Sequence, residues 1–129
     1  MADTGPAAAY LAEARAVTDA ATKGPWEADD DEDCWRLFGA VTGILHPMQL
    51  IKAPKHGTPY AEYWPNEADA AFIVASRSFV PRLLAAVEAV LARHERFEYP
   101  SRAICRECRQ AWPCEDVQAI TRELLGKEA

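Results

Sequence analysis

Ten residues, Cys105-Arg106-Glu107-Cys108-Arg109-Gln110-Ala111-Trp112-Pro113-Cys114, carry three cysteines. Thiols this close in sequence are a shared metal site, a redox pair or a coincidence of inert thiols, and either of the first two restricts the fold. A C-x-x-C pair in a tight turn can aim both sulfurs at one point, and Cys114 follows at the first turn of a terminal helix. There the positive end of the helix dipole favours a thiolate. Three sulfurs leave a tetrahedral zinc one ligand short. His94, eleven residues before Cys105, and Cys34, seventy-one before it, are the two candidates for the fourth position. His94 is preferred, because an imidazole at a helix end can face the knuckle and no further thiol has to be deprotonated. A thioredoxin-like redox pair needs a βαβ setting that the sequence lacks. The expected ligands are therefore His94, Cys105, Cys108 and Cys114, a closed and hence structural zinc site whose binding energy folds the tail.

The chain has 129 residues, half of them apolar, which suits one globular domain. Residues 4–23 read as an amphipathic helix capped by Thr4, with Tyr10, Ala14, Val17 and Ala21 as its apolar stripe. Gly24 would provide a left-handed exit and Pro25 would end the helix. Residues 34–41 alternate as a strand with Trp35, Leu37 and Val41 on one face. Thr42-Gly43 reads as a turn into a second strand, 44–53, which Pro47 confines to a sheet edge or a bulge. Residues 54–65 are a Pro/Gly-rich loop, with a short third strand near Tyr60–Trp64.

Residues 66–97 form the strongest element, a long helix capped by Asn66 with Asp69 three residues on. Phe72, Ser76, Phe79, Leu83, Val87, Val90 and His94 mark one face, and Ala85, Ala86, Ala89 and Ala92 let another helix approach. Pro81 predicts a kink or a fresh start capped by Ser76 or Ser78. The terminal helix buries Val117, Ile120, Leu124 and Thr121 and ends at Gly126. The expected fold class is α+β: an N-terminal helix, a small antiparallel sheet, the long helix and a zinc-bound helical tail. Residues 1–97 are read as the core and 98–129 as a zinc-stabilised segment packed on it.

The formal charge of −6 resides in Glu27–Asp33, which holds six acids and no base. The remaining fourteen acids balance fourteen bases. An acidic total disfavours non-specific nucleic-acid binding, and the run reads as a mobile, solvated loop. No targeting segment or N-terminal membrane span is evident, which places the chain in a cytoplasm, where clustered thiols stay reduced. His46 and His56 have no nucleophile or carboxylate at a catalytic spacing. No phosphate loop, nucleophile elbow or HExxH motif is found.

Three stretches, "ATKGPW", "EADAAFIVASRSFVPRLLAAVEAVLARH" and "CRECRQAWPCEDVQAI", resemble a set of small proteins of actinobacteriophages and actinobacterial genomes. Those proteins carry a GPW turn, a DAxFIxxxR–VPxLLxxVExxL helix and a closing CxxC–WPC motif, and a histidine commonly ends the helix, where His94 stands here. The front two-thirds is also distantly similar to Ead-type accessory proteins of lambdoid phages. The resemblance implies an accessory role and supplies no catalytic residues.

The functional expectation is a non-enzymatic phage or prophage accessory protein with structural zinc, located in the bacterial host's cytoplasm. It would bind a host protein through the acidic run or the aromatic loop 54–65. One alternative is a zinc-dependent nucleic-acid-binding regulator using Arg93, Arg96, Arg102, Arg106 and Arg109. Another is a small-molecule binder with Trp26, Trp35, Tyr60, Tyr63 and Trp64 around a groove. Self-association through the alanine-rich helix faces is also consistent with the sequence, and a membrane partner is not expected.

Overall fold

The computed structural model describes residues 5–40, 47–57 and 64–126. Three helices and five strands form among them: α1 (Pro6–Ala20), β1 (Glu27–Asp30), β2 (Cys34–Phe38), β3 (Gln49–Pro54), α2 (Glu67–Arg93), β4 (Arg96–Tyr99), β5 (Arg102–Cys105) and α3 (Glu115–Leu125). The class is α+β, with antiparallel strands as expected. Two compact units emerge: a central one, Asp19–Pro81, and a terminal one that joins Met1–Thr18 to Arg82–Ala129.

In the central unit β1, β2 and β3 form an antiparallel sheet in that order. β2 is the middle strand because its alternation suits burial, and Trp35 and Leu37 are almost wholly enclosed, with Cys34 beside them. β3 takes an edge, but it begins at Gln49, so Pro47 stands before the strand rather than within it as expected. The acidic run differs from its expectation. Glu27–Asp30 is a strand, with Glu27 opposite Phe38 and Asp30 opposite Trp35. Charge repulsion along it is offset by Lys55, which pairs with Asp30, and by Arg36, which lies 2.9 Å from Asp31 and 3.9 Å from Asp29. Asp31 also closes the β1–β2 turn, accepting the backbone N–H groups of Asp33 and Cys34, each at 2.8 Å.

The turn after α1 is held by Thr22, whose carbonyl accepts both Trp26 Nε1 and Arg77 Nε at 3.0 Å. Gly24 is not left-handed, contrary to expectation. Its glycine is required because a Cβ would stand 2.8 Å from Arg77 Cγ. The GPW stretch and the arginine of the DAxFIxxxR stretch therefore meet.

In the terminal unit Ala7, Leu11, Leu84, Leu91, Cys105, Cys114 and Val117 make one buried cluster, with Ala14, Val87, Trp112, Ile120 and Leu124 against it. The α1 stripe is thus Ala7, Leu11, Ala14 and Thr18. Tyr10 and Val17, expected inside, are exposed. α2 begins with the expected reciprocal cap: Asp69 N–H donates to Asn66 Oδ1 at 2.8 Å, and Asn66 Nδ2 to Asp69 Oδ2 at 3.0 Å. It runs through Pro81 as one element, so no fresh start occurs there, and Ser76 Oγ donates back to the Ile73 carbonyl. The face marked by Phe72, Phe79, Leu83 and Val90 is exposed, while Leu84 and Leu91 carry the burial. The helix expected to reach residue 97 ends at Arg93, and β4 and β5 follow it as an antiparallel hairpin, Arg96 opposite Cys105 and Tyr99 opposite Arg102. Thr4, His46, Thr42-Gly43, Val41, Tyr60 and Tyr63 lie outside the described residues.

The three hydrogen bonds onto Asp31, from Cys34 and Asp33 N–H and then from Arg36, lower its carboxyl from 3.8 to about 2. A depressed folded value means the turn gains from ionised Asp31 above the unfolded carboxyl range and loses that gain as pH falls through about 2. In a carboxyl-detected NMR titration Asp31 should titrate at about 2, well below the ordinary value of 3.8. Asp31→Asn should speed amide exchange at Asp33 and Cys34; unchanged exchange would contradict the assignment.

Candidate metal centre

Four elements deliver four side chains to one point. His94 is the residue immediately after α2, held by its N–H donating to the Leu91 carbonyl at 3.0 Å. β4 and β5 then carry the chain out and back, so that Cys105, the last residue of β5, returns beside the imidazole. The hairpin is what makes an eleven-residue separation workable. Beyond it, Arg109 N–H donates to the Cys105 carbonyl at 2.9 Å, and Cys105 N–H to the Gln110 carbonyl at 2.8 Å, closing the knuckle. Arg109 adopts the left-handed conformation, with φ 65°, that lets the chain turn back past the second cysteine.

Cys114 is the N-cap of α3, extended at φ −69° and ψ 167°, and its side chain makes no capping hydrogen bond. The sulfur faces the cluster instead. The cap duty passes to Gln110, whose Oε1 accepts Glu115 N–H at 3.0 Å. Trp112 and Pro113 precede it, and Trp112 packs on the core that contains Leu84 and Leu91.

His94 Nδ1 lies 3.5 Å from Cys105 Sγ, 3.3 Å from Cys108 Sγ and 3.5 Å from Cys114 Sγ. The four ligand atoms all lie within 4.8 Å of one another. Ordinary zinc–nitrogen and zinc–sulfur lengths at a tetrahedral angle put N and S about 3.5 Å apart. The cluster therefore has the size of a filled tetrahedral site, and the His/Cys3 group can hold a metal such as zinc. His94, Cys105 and Cys114 are buried and Cys108 is partly exposed.

The neighbouring thiols differ in how readily they release a proton. Burial pushes the Cys105 thiol up, but hydrogen bonds from Cys108 N–H, His94, Glu107 N–H and Cys114 bring it down to about 7. Cys108 is pushed up to about 12 by burial and by its hydrogen bonds to Cys114 and Cys105. One sulfur gives up its proton readily and its neighbour holds on. A divalent ion reverses the second effect, because each thiolate then faces a double positive charge.

The structure brings together the four residues expected from the sequence. Cys34 is buried in β2 of the central unit and is not among them. His56 Nε2 lies 2.9 Å from the Glu32 carbonyl, a loop contact rather than a catalytic one. Sequence reasoning missed Asp116. Its Oδ2 stands 3.6 Å from His94 Nε2 and 3.8 Å from Cys108 Sγ. A carboxylate behind a ligating histidine fixes which ring nitrogen faces the metal. The signal was present, since Asp116 follows Cys114 by two residues at the start of a helix, but it reads equally as a helix-dipole acid.

No family model, curated protein or solved structure matches the chain.

The purified protein should hold one equivalent of zinc or cobalt, the latter with the absorption of a tetrahedral thiolate site. His94→Ala or Cys105→Ser should abolish stoichiometric binding while Cys34→Ser keeps it, as read by native mass spectrometry. With free zinc a thousandfold above the dissociation constant, chelation should cost about 4 kcal/mol of stability. Asp116→Asn should weaken zinc about tenfold in a competition titration; undiminished affinity would remove its role.

Proposed function

We propose that the protein is a non-enzymatic accessory protein of the actinobacteriophage or prophage type, and that it acts in the host cytoplasm by binding a host protein. Zinc in the His94, Cys105, Cys108 and Cys114 site is structural on this reading. Four protein ligands fill a tetrahedron and leave no position for substrate or water. The ion's contribution is to folding, because it ties β5 and α3 to the end of α2.

The observation that carries the partner reading is the acidic edge. β1 is an outer strand of its sheet, all four of its residues are exposed, and the adjoining turn adds Asp31, Glu32 and Asp33. Six acids meet the two cations Arg36 and Lys55, leaving a local excess of negative charge. An edge strand offers backbone groups to another chain, and acids there oppose self-pairing while attracting a basic surface. The partner favoured is therefore a protein with a basic face.

Three of the five arginines near the knuckle, Arg93, Arg96 and Arg106, support this reading over a nucleic-acid one. Arg93 pairs with Glu107 at 2.9 Å, Arg96 with Glu98 at 2.7 Å and Arg106 with Glu95 at 3.3 Å. Arg106 also lies over the Phe97 ring, 5.3 Å from its centroid. Cations neutralised within the fold contribute little to phosphate binding.

Capture from an actinobacterial lysate, with the retained protein then purified, supplies the test. Binding should weaken as salt rises and disappear when Asp29, Asp30, Glu32 and Asp33 are changed to their amides, with zinc content unaltered. Salt-dependent oligonucleotide binding abolished by Arg106→Glu with Arg109→Glu would instead establish the regulator.

A further inference from the structure

The four residues of the metal centre differ in their contact with solvent. His94 is 7% exposed, Cys105 0% and Cys114 1%, whereas Cys108 is partly exposed. A reagent arriving from water therefore meets a single sulfur of the site. The two sulfurs it cannot reach are close behind, since all four ligand atoms lie within 4.8 Å of one another. A thiol that ligates a metal is held deprotonated, so the exposed sulfur is also a nucleophile. An accessible thiolate with a second thiol in reach is the arrangement of a redox-sensing cysteine and the partner that resolves it.

The knuckle decides which buried thiol is that partner. Cys108 N–H donates to Cys105 Sγ at 3.5 Å. Two backbone bonds, Arg109 N–H to the Cys105 carbonyl and Cys105 N–H to the Gln110 carbonyl, hold both cysteines in one turn. Bringing their sulfurs to bonding distance, about 2 Å, is a movement within that turn. Cys114 belongs to a different element. It caps α3, and its carbonyl accepts Gln118 N–H at 2.9 Å, so pairing with it would shift the start of a helix.

We propose that Cys108 and Cys105 form a peroxide-sensitive switch, in which oxidation joins them as a disulfide, releases the metal and unties α3 from the end of α2. The proposal rests on the zinc reading of the site. In the first step the Cys108 thiolate attacks one oxygen of hydrogen peroxide. An S–O bond forms as the O–O bond breaks, hydroxide leaves, and Cys108 becomes a sulfenic acid. The Cys105 thiolate then attacks that sulfur, forming the S–S bond as the S–O bond breaks and a second hydroxide leaves. The two sulfurs together lose two electrons, and the peroxide gains them. His94 and Cys114 remain, too few to hold a tetrahedral ion, which departs as the dication. The new crosslink is local to the knuckle, whereas ligation joins the end of α2, β5 and the start of α3. The helix α3 then keeps only its apolar contacts with the buried cluster. A thiol reductant reverses the disulfide, so a reducing compartment resets the site.

Titration of the zinc-loaded full chain with hydrogen peroxide, without oxygen, tests this, with zinc counted by native mass spectrometry before and after. One equivalent of peroxide should release the zinc, lower the protein mass by about 2 Da and leave a Cys105–Cys108 disulfide on peptide mapping. Amide exchange should quicken in α3 and stay unchanged in β2, and a dithiol with added zinc should restore the starting state. Cys108→His keeps four ligands without the exposed sulfur and should slow the release about tenfold. Should that variant bind no metal, the wild-type peptide map and zinc count decide. A chain that holds no zinc before the oxidant is added would overturn the metal centre together with this proposal. Zinc retained after one equivalent of peroxide, a Cys108–Cys114 link, oxidation confined to Cys34, a sulfinate in place of the disulfide, or equally fast release from Cys108→His would each overturn this proposal alone.

Discussion

Three sulfurs gathered around one imidazole nitrogen impose the central constraint on this molecule. Their separations suit a shared cation and suit little else, because two neighbouring thiolates repel and a buried thiolate without a counter-ion is costly. The terminal unit is arranged around this point. The hairpin returns Cys105 to His94, the left-handed Arg109 turns the knuckle, and α3 starts where its N-cap residue, Cys114, can present a sulfur. Cys105 and Cys114 belong to the same buried cluster as Leu84, Leu91 and Val117. Metal ligation and apolar packing are therefore one set of contacts, and loss of either removes support from the other.

The central unit solves a different problem, that of a heavily acidic segment within a small sheet. Glu27–Asp30 can be a strand because Arg36 and Lys55 lie alongside it and because Asp31 converts its charge into hydrogen bonds at the turn. The contacts of Thr22 and Gly24 with Arg77 tie together two stretches that lie far apart in the chain. A side chain at position 24 would displace the arginine that holds the turn.

The grouping of His94 with Cys105, Cys108 and Cys114 was legible, because C-x-x-C, a third nearby cysteine and a histidine at a helix end leave few arrangements, with Cys34 the one competitor for the fourth place. The helix caps at Asn66 and Gly126 were equally readable, since each uses a residue whose chemistry fits that place. What escaped were features decided by neighbours distant in sequence. β1 has a composition that disfavours strand, and only its pairing with β2 makes it one. β4 and β5 are four residues each, too short for an alternating pattern to stand out. The face of α2 was read correctly as apolar, but periodicity cannot say which of two apolar faces is covered from within.

The buried cluster of the terminal unit draws Ala7 and Leu11 from one region of the chain and Cys105, Cys114 and Val117 from another, with the whole sheet of the central unit threaded between. During synthesis α1 emerges long before its packing partners exist, whereas β1–β3 can pair as soon as they leave the ribosome. Connectivity therefore leaves α1 without part of its core until the knuckle has been translated.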